Sequence, residues 1–318
     1  MIGNFQVRTD LALEARESCE ADHIKIRGVQ ISEEKDEERE LYTTTVVIQS
    51  ENGAKALGKP TGTYITIEAP HMSAPDEGYH REISEEIARH LCGLLGRRRR
   101  SVLVVGLGNR EVTPDALGPN VIGNLHITRH IIREYGRASE ETRNAGEVSA
   151  IVPGVMAQTG METLEIIKGV VEETKPEAVI AIDALAARST RRLNRTIQIT
   201  DTGINPGSGV GNHRNAINKE TLGVPVIAVG VPTVVDAATI VNDTMEELIA
   251  EMDRCAGMQK LGGTLGTLNQ AEKHQMIREL ISPHLNTMFV TPKDIDETVK
   301  YLSYTISEGL NLVFSAKE

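Results

Sequence analysis

Apolar positions recur along this chain with two different periods, and the period changes with position. Between Leu41 and Pro70 two β-rich runs stand out, Thr43–Ile48 and Thr63–Ile67, with Asn52-Gly53 and Gly58-Lys59-Pro60 as turn chemistry between them. From Tyr79 to Leu95 the apolar residues Ile83, Ile87, Leu91 and Leu94 fall at helical spacing. Arg97 to Arg100 follow and suit a cationic helix end interacting with the dipole, with a nucleic-acid patch as the alternative. Strand and helix then alternate. Ser101–Gly106, Val148–Val152, Ala178–Ile182, Thr196–Thr200 and Val224–Val231 read as apolar strands, and Val121–Tyr135 and Met161–Lys175 as amphipathic helices. Such alternation predicts an α/β fold, a mainly parallel sheet with helices on both faces. Residues 41–70 then form an antiparallel β-rich addition to that sheet rather than a second domain. Met1 to Glu20 reads as a polar extension, Ser32 to Glu40 as a solvated loop, and Thr244 to Glu318 as mostly helical with breaks at Gly262-Gly263 and Pro283.

Composition narrows this picture without redirecting it. The 318 residues are 40% hydrophobic and 25% charged, ordinary for a folded chain and within reach of one domain with insertions. With no Trp and only 3 Phe, the core must be built from Val, Ile, Leu, Ala and Met. A net charge of −11, from 34 basic and 45 acidic residues, argues against direct binding to nucleic-acid phosphates. Cys19, Cys92 and Cys255 are widely spaced and form no CxxC pair, which suits reduced thiols in a cytosol-like compartment. Arg8 and Asp10 fall where the apolar core of a signal peptide would lie. The best membrane candidate, Gly223–Val241, is interrupted by Pro225, Pro232 and Asp236, so it reads as a buried strand and loop. These features predict a soluble intracellular protein.

In an open α/β sheet, ligands gather beyond the carboxyl ends of the strands. Two segments put an Asp there: Asp115, some residues beyond Ser101–Gly106, and Asp183, immediately beyond Ala178–Ile182. Two carboxylates brought together can share one proton, letting one activate water while the other protonates a leaving group. Asp is also a common cap or turn residue after a strand, so each one alone is weak evidence. Three competing signals are present. Gly106-Leu107-Gly108 opens like a dinucleotide fingerprint, but Glu111 stands at the third glycine position and no Walker Lys is present. His126 and His130 are four apart on a predicted helix, but Ile127 stands where a zincin carries its Glu. Asp201-Thr202-Gly203 matches the tripeptide of pepsin-like proteases, which are all-β, so here it more simply opens the Gly-rich loop Ile204–Arg214.

Four segments together, Gly106-Leu107-Gly108-Asn109, Thr113–Pro119, Ala181–Arg188 and Thr202–Arg214, resemble the germination protease family, in the same order and from near residue 8 to near the C-terminus. The core is also similar to that of hydrogenase maturation peptidases, which share the strand–Gly-x-Gly-Asn start and a later strand-end Asp but use the site to sense a metal. The resemblance implies an atypical aspartic endopeptidase with Asp115 and Asp183 as its catalytic pair; no cofactor or metal is expected, since the histidine pair lacks its Glu and no Cys/His cluster offers a closed site. It implies a zymogen that trims its own propeptide, here residues 1–12, by a cut between Ala12 and Leu13, leaving 13–318 as one catalytic domain. It implies small acid-soluble spore proteins as substrates, a homotetramer, no membrane partner, and a place in the cytoplasm of the forespore and spore core. Asn109, Gly207 and Gly209 are expected near the substrate cleft, although the Gly-rich loop could equally be a structural turn. The other function classes considered are a metal-dependent maturation peptidase and a non-enzymatic acidic spore protein.

Overall fold

The structure, a computed structural model, describes residues 28–96, 101–207, 214–254 and 288–315. The Met1–Glu20 extension, Ala12, Leu13, Arg97 to Arg100, Gly209 and most of the predicted helical tail lie outside the described residues. Strands β1 (Val29–Asp36) and β2 (Leu41–Ile48) form an antiparallel hairpin in continuous register from Val29↔Ile48 to Asp36↔Leu41. The acidic stretch expected as a loop is therefore half strand. Every residue of β1 after Val29 is exposed, so no in–out alternation marks it, and backbone pairing with β2 alone defines it. Helix α1 (Glu51–Leu57) replaces the expected Asn52-Gly53 turn. Its Ser50 cap accepts from the Gly53 N–H, and Gly58 ends it in the left-handed conformation.

Strand β3 (Gly62–Glu68) pairs antiparallel with β2, and α2 (Glu77–Leu95) follows, capped by Asp76 and burying Ile83, Ile87, Leu91 and Leu95. Next come β4 (Ser101–Gly106), α3 (Leu117–Gly123), α4 (Arg129–Tyr135) and β5 (Glu147–Ile151). The continuous helical spacing read over Val121–Tyr135 is broken at residues 124–128. There the His126 N–H donates to Asn311 Oδ1, and the Thr128 N–H to the Val148 carbonyl. The chain then runs through α5 (Thr163–Thr174), β6 (Ala178–Ala187), β7 (Thr196–Thr200), β8 (Val226–Asp236), α6 (Ala237–Arg254), β9 (Phe289–Val290) and α7 (Ile295–Phe314).

Among the described residues, nine strands join one sheet in the order β1-β2-β3-β7-β8-β6-β4-β5, with β9 added to β8. The parallel register runs through β5, β4, β6 and β8. The antiparallel part is wider than the 41–70 stretch. It also takes in β1, β9 and β7, and β7 runs antiparallel to both of its neighbours.

Helices cover both faces, as the near-continuous apolar runs of β4 and β6 require. Along β4, Val102 and Val104 enter a core with Ile83 and Ile87 of α2 and Leu302, Ile306 and Leu310 of α7. The alternate residues Leu103 and Val105 enter a second core with Ile167 and Val171 of α5. β6 divides the same way, Ile180 and Ile182 to the first face and Val179 and Ala181 to the second. Leu302, Ile306 and Leu310 are completely buried. Each such side chain contributes roughly 1.5–3 kcal/mol, enough to hold α7 in place and with it the segment leading in from β9.

Candidate functional site

The site begins with a difference in strand length. β4 stops at Gly106, opposite Ile182 of β6, whereas β6 continues to Ala187 paired with β8. The sequence reading ended that strand at Ile182, so Asp183 is an inner residue of a ten-residue strand rather than the residue after it. It is nonetheless the first position of β6 beyond the carboxyl end of β4, where a crevice opens. The last rung is the Leu107 N–H, which donates to the Ile182 carbonyl at 2.8 Å.

From Leu107 the chain turns back on itself. Gly108 has φ 108°, and a Cβ there would stand 2.0 Å from the Asp115 carbonyl oxygen, so only glycine permits this approach. The loop ends in a single 3-10 turn, Thr113–Asp115, which leads into α3. Gly118 in the first turn of α3 wedges against both strand ends. A Cβ on it would lie 2.4 Å from the Leu107 oxygen and 2.6 Å from the Ile182 oxygen. Glycines in this motif therefore fix the position of the Asp115 turn relative to the strand that carries Asp183.

Asp115 Oδ2 accepts from the Asn109 N–H at 2.8 Å. Its turn is held from the other side, where Thr233 Oγ1 donates to the Pro114 carbonyl at 2.7 Å and Thr291 Oγ1 to the Thr233 carbonyl at 2.8 Å. Asp183 is buried, 6% exposed, and its Oδ1 accepts from the Ala184 N–H at 3.0 Å. Both carboxyl groups line one cavity of about 420 Å³, whose wall also carries Arg214 and is otherwise largely apolar, with Val112, Leu185, Val234 and Phe289. Burial pushes the Asp115 carboxyl above its ordinary value of 3.8, and the Asn109 N–H and the Arg214 charge offset that rise only in part. The cavity can thus hold an extended apolar segment against two carboxyl groups, one of them biased toward its protonated form.

Of the residues singled out in the sequence, Asp115, Asp183 and Gly207 meet at this cavity. Asn109 stands behind Asp115 rather than in the cavity wall, and its side-chain Oδ1 accepts from Gln158 Nε2 and from the Glu111 N–H, each at 3.0 Å. Asp201 is elsewhere: exposed, its Oδ1 accepts from the Thr63 N–H at 2.8 Å in a turn. His126 lies in the break before α4 and His130 within α4, so the two do not share a helix face. Among the described residues, no group of three or more His, Cys, Asp or Glu could hold a metal ion. None is a helix long and apolar enough to cross a membrane. Arg214 comes from the end of the Gly-rich loop named in the sequence, whereas sequence reasoning missed Thr233, Phe289 and Thr291. Thr233 had a usable signal as a polar residue inside the apolar run Val226–Val235, whereas Phe289 and Thr291 arrive from more than a hundred residues beyond Asp183 with no local mark.

The profile of the germination protease family matches residues 7–260 and 253–317. A germination protease of Caldanaerobacter subterraneus is 49% identical over 316 residues, covering 98% of this chain and 95% of that protein. One from Clostridium perfringens is 47% identical, covering 97% of this chain and 95% of its own length. One from Bacillus mycoides is 40% identical, covering 98% and 94%. Among solved structures, a NiFe hydrogenase maturation protease from Thermococcus kodakarensis aligns with a TM-score of 0.29 and 19% identity, covering 45% of this chain and 80% of that one.

Proposed function

Because the chain belongs to the germination protease family, we propose that it is the endopeptidase that opens small acid-soluble spore proteins during germination, using Asp115 and Asp183 as an acid–base pair. The observation that carries this reading is the presence of both carboxyl groups on the wall of one cavity. In this reading the two carboxyl groups share one proton, the ionised member being the base and the protonated member the acid. A peptide lies across the cavity with its scissile carbonyl between them. The carboxylate takes a proton from water as the water oxygen bonds to the carbonyl carbon, giving a tetrahedral intermediate. The carboxylic acid then gives its proton to the amide nitrogen, the C–N bond breaks, and an acid and an amine leave. Two carboxyl groups close enough to share a proton are what this reaction requires of its catalyst.

The same reading includes a precursor that cuts itself between Ala12 and Leu13, a mature chain from residue 13, assembly as a homotetramer, and action inside the spore. An extended segment with small Ala12 before the bond and Glu14 after it suits a cleft that receives peptide as an added strand. The test is to incubate purified processed protein with an acid-soluble spore protein and map the cut bonds by mass spectrometry, alongside N-terminal sequencing of the precursor and its Asp183→Asn variant. Discrete cuts, with Leu13 as a unique new N-terminus that the variant fails to generate, are expected. Absence of cleavage, ragged ends, or normal processing of the isolated variant would overturn it.

A further inference from the structure

Part of what holds Asp115 in place lies outside the cavity wall. The Asn109 N–H that meets its Oδ2 belongs to a loop whose shape is set by the Asn109 side chain. Asn109 Oδ1 accepts from the Glu111 N–H, closing a turn of the loop, and from Gln158 Nε2, reaching to a different segment. Gln158 sits in the single turn Met156–Thr159 that follows β5, and the two residues ahead of that turn, Gly154 and Val155, are part of the cavity wall. One residue, through its backbone N–H and its side-chain amide, thus joins the carboxylate, the loop after β4 and the segment after β5.

Gln158 is exposed and Asn109 half-buried. A hydrogen bond between such exposed groups adds little to stability, so the link is a poor device for holding the fold together. It is well suited to aiming one N–H at one carboxylate oxygen. We propose that Asn109 and Gln158 are positioning residues for Asp115, which rests on the acid–base reading given above. Neither touches the reacting atoms. An N–H directed at the carboxylate favours its charged form and so limits how far burial raises its proton affinity. The other charged groups near Asp115 are Asp183 of β6 and Arg214 on the cavity wall, with Arg110 and Glu111 in its own loop. None of these is altered by the substitutions below.

The test measures kcat and KM against pH for processed enzyme, using a peptide that spans a mapped cut bond, in the parent and in Gln158→Ala, Asn109→Ala, Asn109→Asp and Asp115→Asn. In Gln158→Ala and Asn109→Ala, kcat should fall by roughly ten- to a hundredfold, as for a misaimed catalytic group, with KM little changed. The limb of the profile governed by Asp115 should move to higher pH. Asn109→Asp keeps an acceptor for both bonds and should recover most of kcat, while its added negative charge moves that limb higher still. Parent-like pH profiles in Gln158→Ala and Asn109→Ala, or losses confined to KM, would overturn the positioning role while leaving the acid–base pair standing. An active Asp115→Asn would instead remove the reading beneath it. If Asn109→Ala fails to fold, Gln158→Ala decides the matter, since an exposed residue in a single turn can be truncated without threatening the core.

Discussion

Asp183 and Asp201 occupy similar places in the sequence and opposite places in the fold. Each comes at or after the apolar part of a strand, β6 for one and β7 for the other, and Asp201 even carries the Thr-Gly that follows catalytic aspartates in another protease class. Both strands flank β8, which makes the comparison direct. β6 runs parallel to β8 and sets Asp183 opposite Gly230, whereas β7 runs antiparallel and sets Thr200 opposite Ala228, with Asp201 one residue further toward the start of β8. Three residues along a strand is roughly 10 Å. Chain direction therefore carries Asp201 away from the crevice and toward Thr63, while Asp183 is buried beside the end of β4. A strand-end carboxylate takes its role from the direction of its strand and the length of its neighbour, which the residues around it do not record.

Removing each carboxylate in turn puts most strain on that contrast. Asp115→Asn and Asp183→Asn should each lower kcat by about 10²- to 10⁴-fold or more, since an amide cannot hold or accept the shared proton. Asp201→Asn should cleave at close to the parent rate, and a comparable loss in that variant would erase the distinction. Gly118→Ala comes next, because its methyl group must push against the Leu107 and Ile182 backbone oxygens. A loss of stability on the order of 1–3 kcal/mol in denaturant titrations, accompanied by reduced cleavage, is expected. Parent-like stability would mean that the two strand ends are not wedged as described. Asp201→Ala should cost about 1 kcal/mol, the worth of its bond to the Thr63 N–H, with kcat unchanged.

A subtler expectation concerns Asp115 and pH. Its folded-state proton affinity is raised by burial above the unfolded value of 3.8. The folded state then binds the proton more tightly than the unfolded state. The stability this contributes is complete below the unfolded pKa and is lost as pH rises through the folded one. Asp115→Asn removes that loss, so its melting temperature relative to the parent should climb across that window. A difference independent of pH would contradict the burial argument. The smallest effect of all is expected from exhaustive chelation, which should leave cleavage unchanged. A loss restored by zinc or nickel would move the protein toward the metal-dependent class.

Much of this arrangement was legible in the residues. β4, β6 and β8 are continuous apolar runs, and the polar residues that interrupt or follow them, Asp183 and the Asp115 turn, are where the cavity lies. β7 was legible as a strand but not in direction, because the alternation of Thr196–Thr200 reads the same either way along the chain. The break at residues 124–128 could not be seen because the group that satisfies the His126 N–H is Asn311, 185 residues on. Phe289 and Thr291 reach the cavity through tertiary placement alone. No local pattern encodes a wall assembled from stretches spread between Leu107 and Thr291.

The exposed first strand has a consequence for the company the molecule keeps. β1 ends the sheet, and among the described residues no further strand covers its outer backbone edge. Such an edge is a template on which another extended chain can crystallise, one copy after another. Here the template carries Glu33, Glu34, Lys35 and Asp36, all exposed. A second copy stacked on it in parallel register would set Glu33, Lys35 and Asp36 each against its own like over one half of the strand, and like charges directly opposed across strands repel. Part of the chain's acidic excess thus stands on an exposed strand edge, where it opposes the stacking of one copy on another.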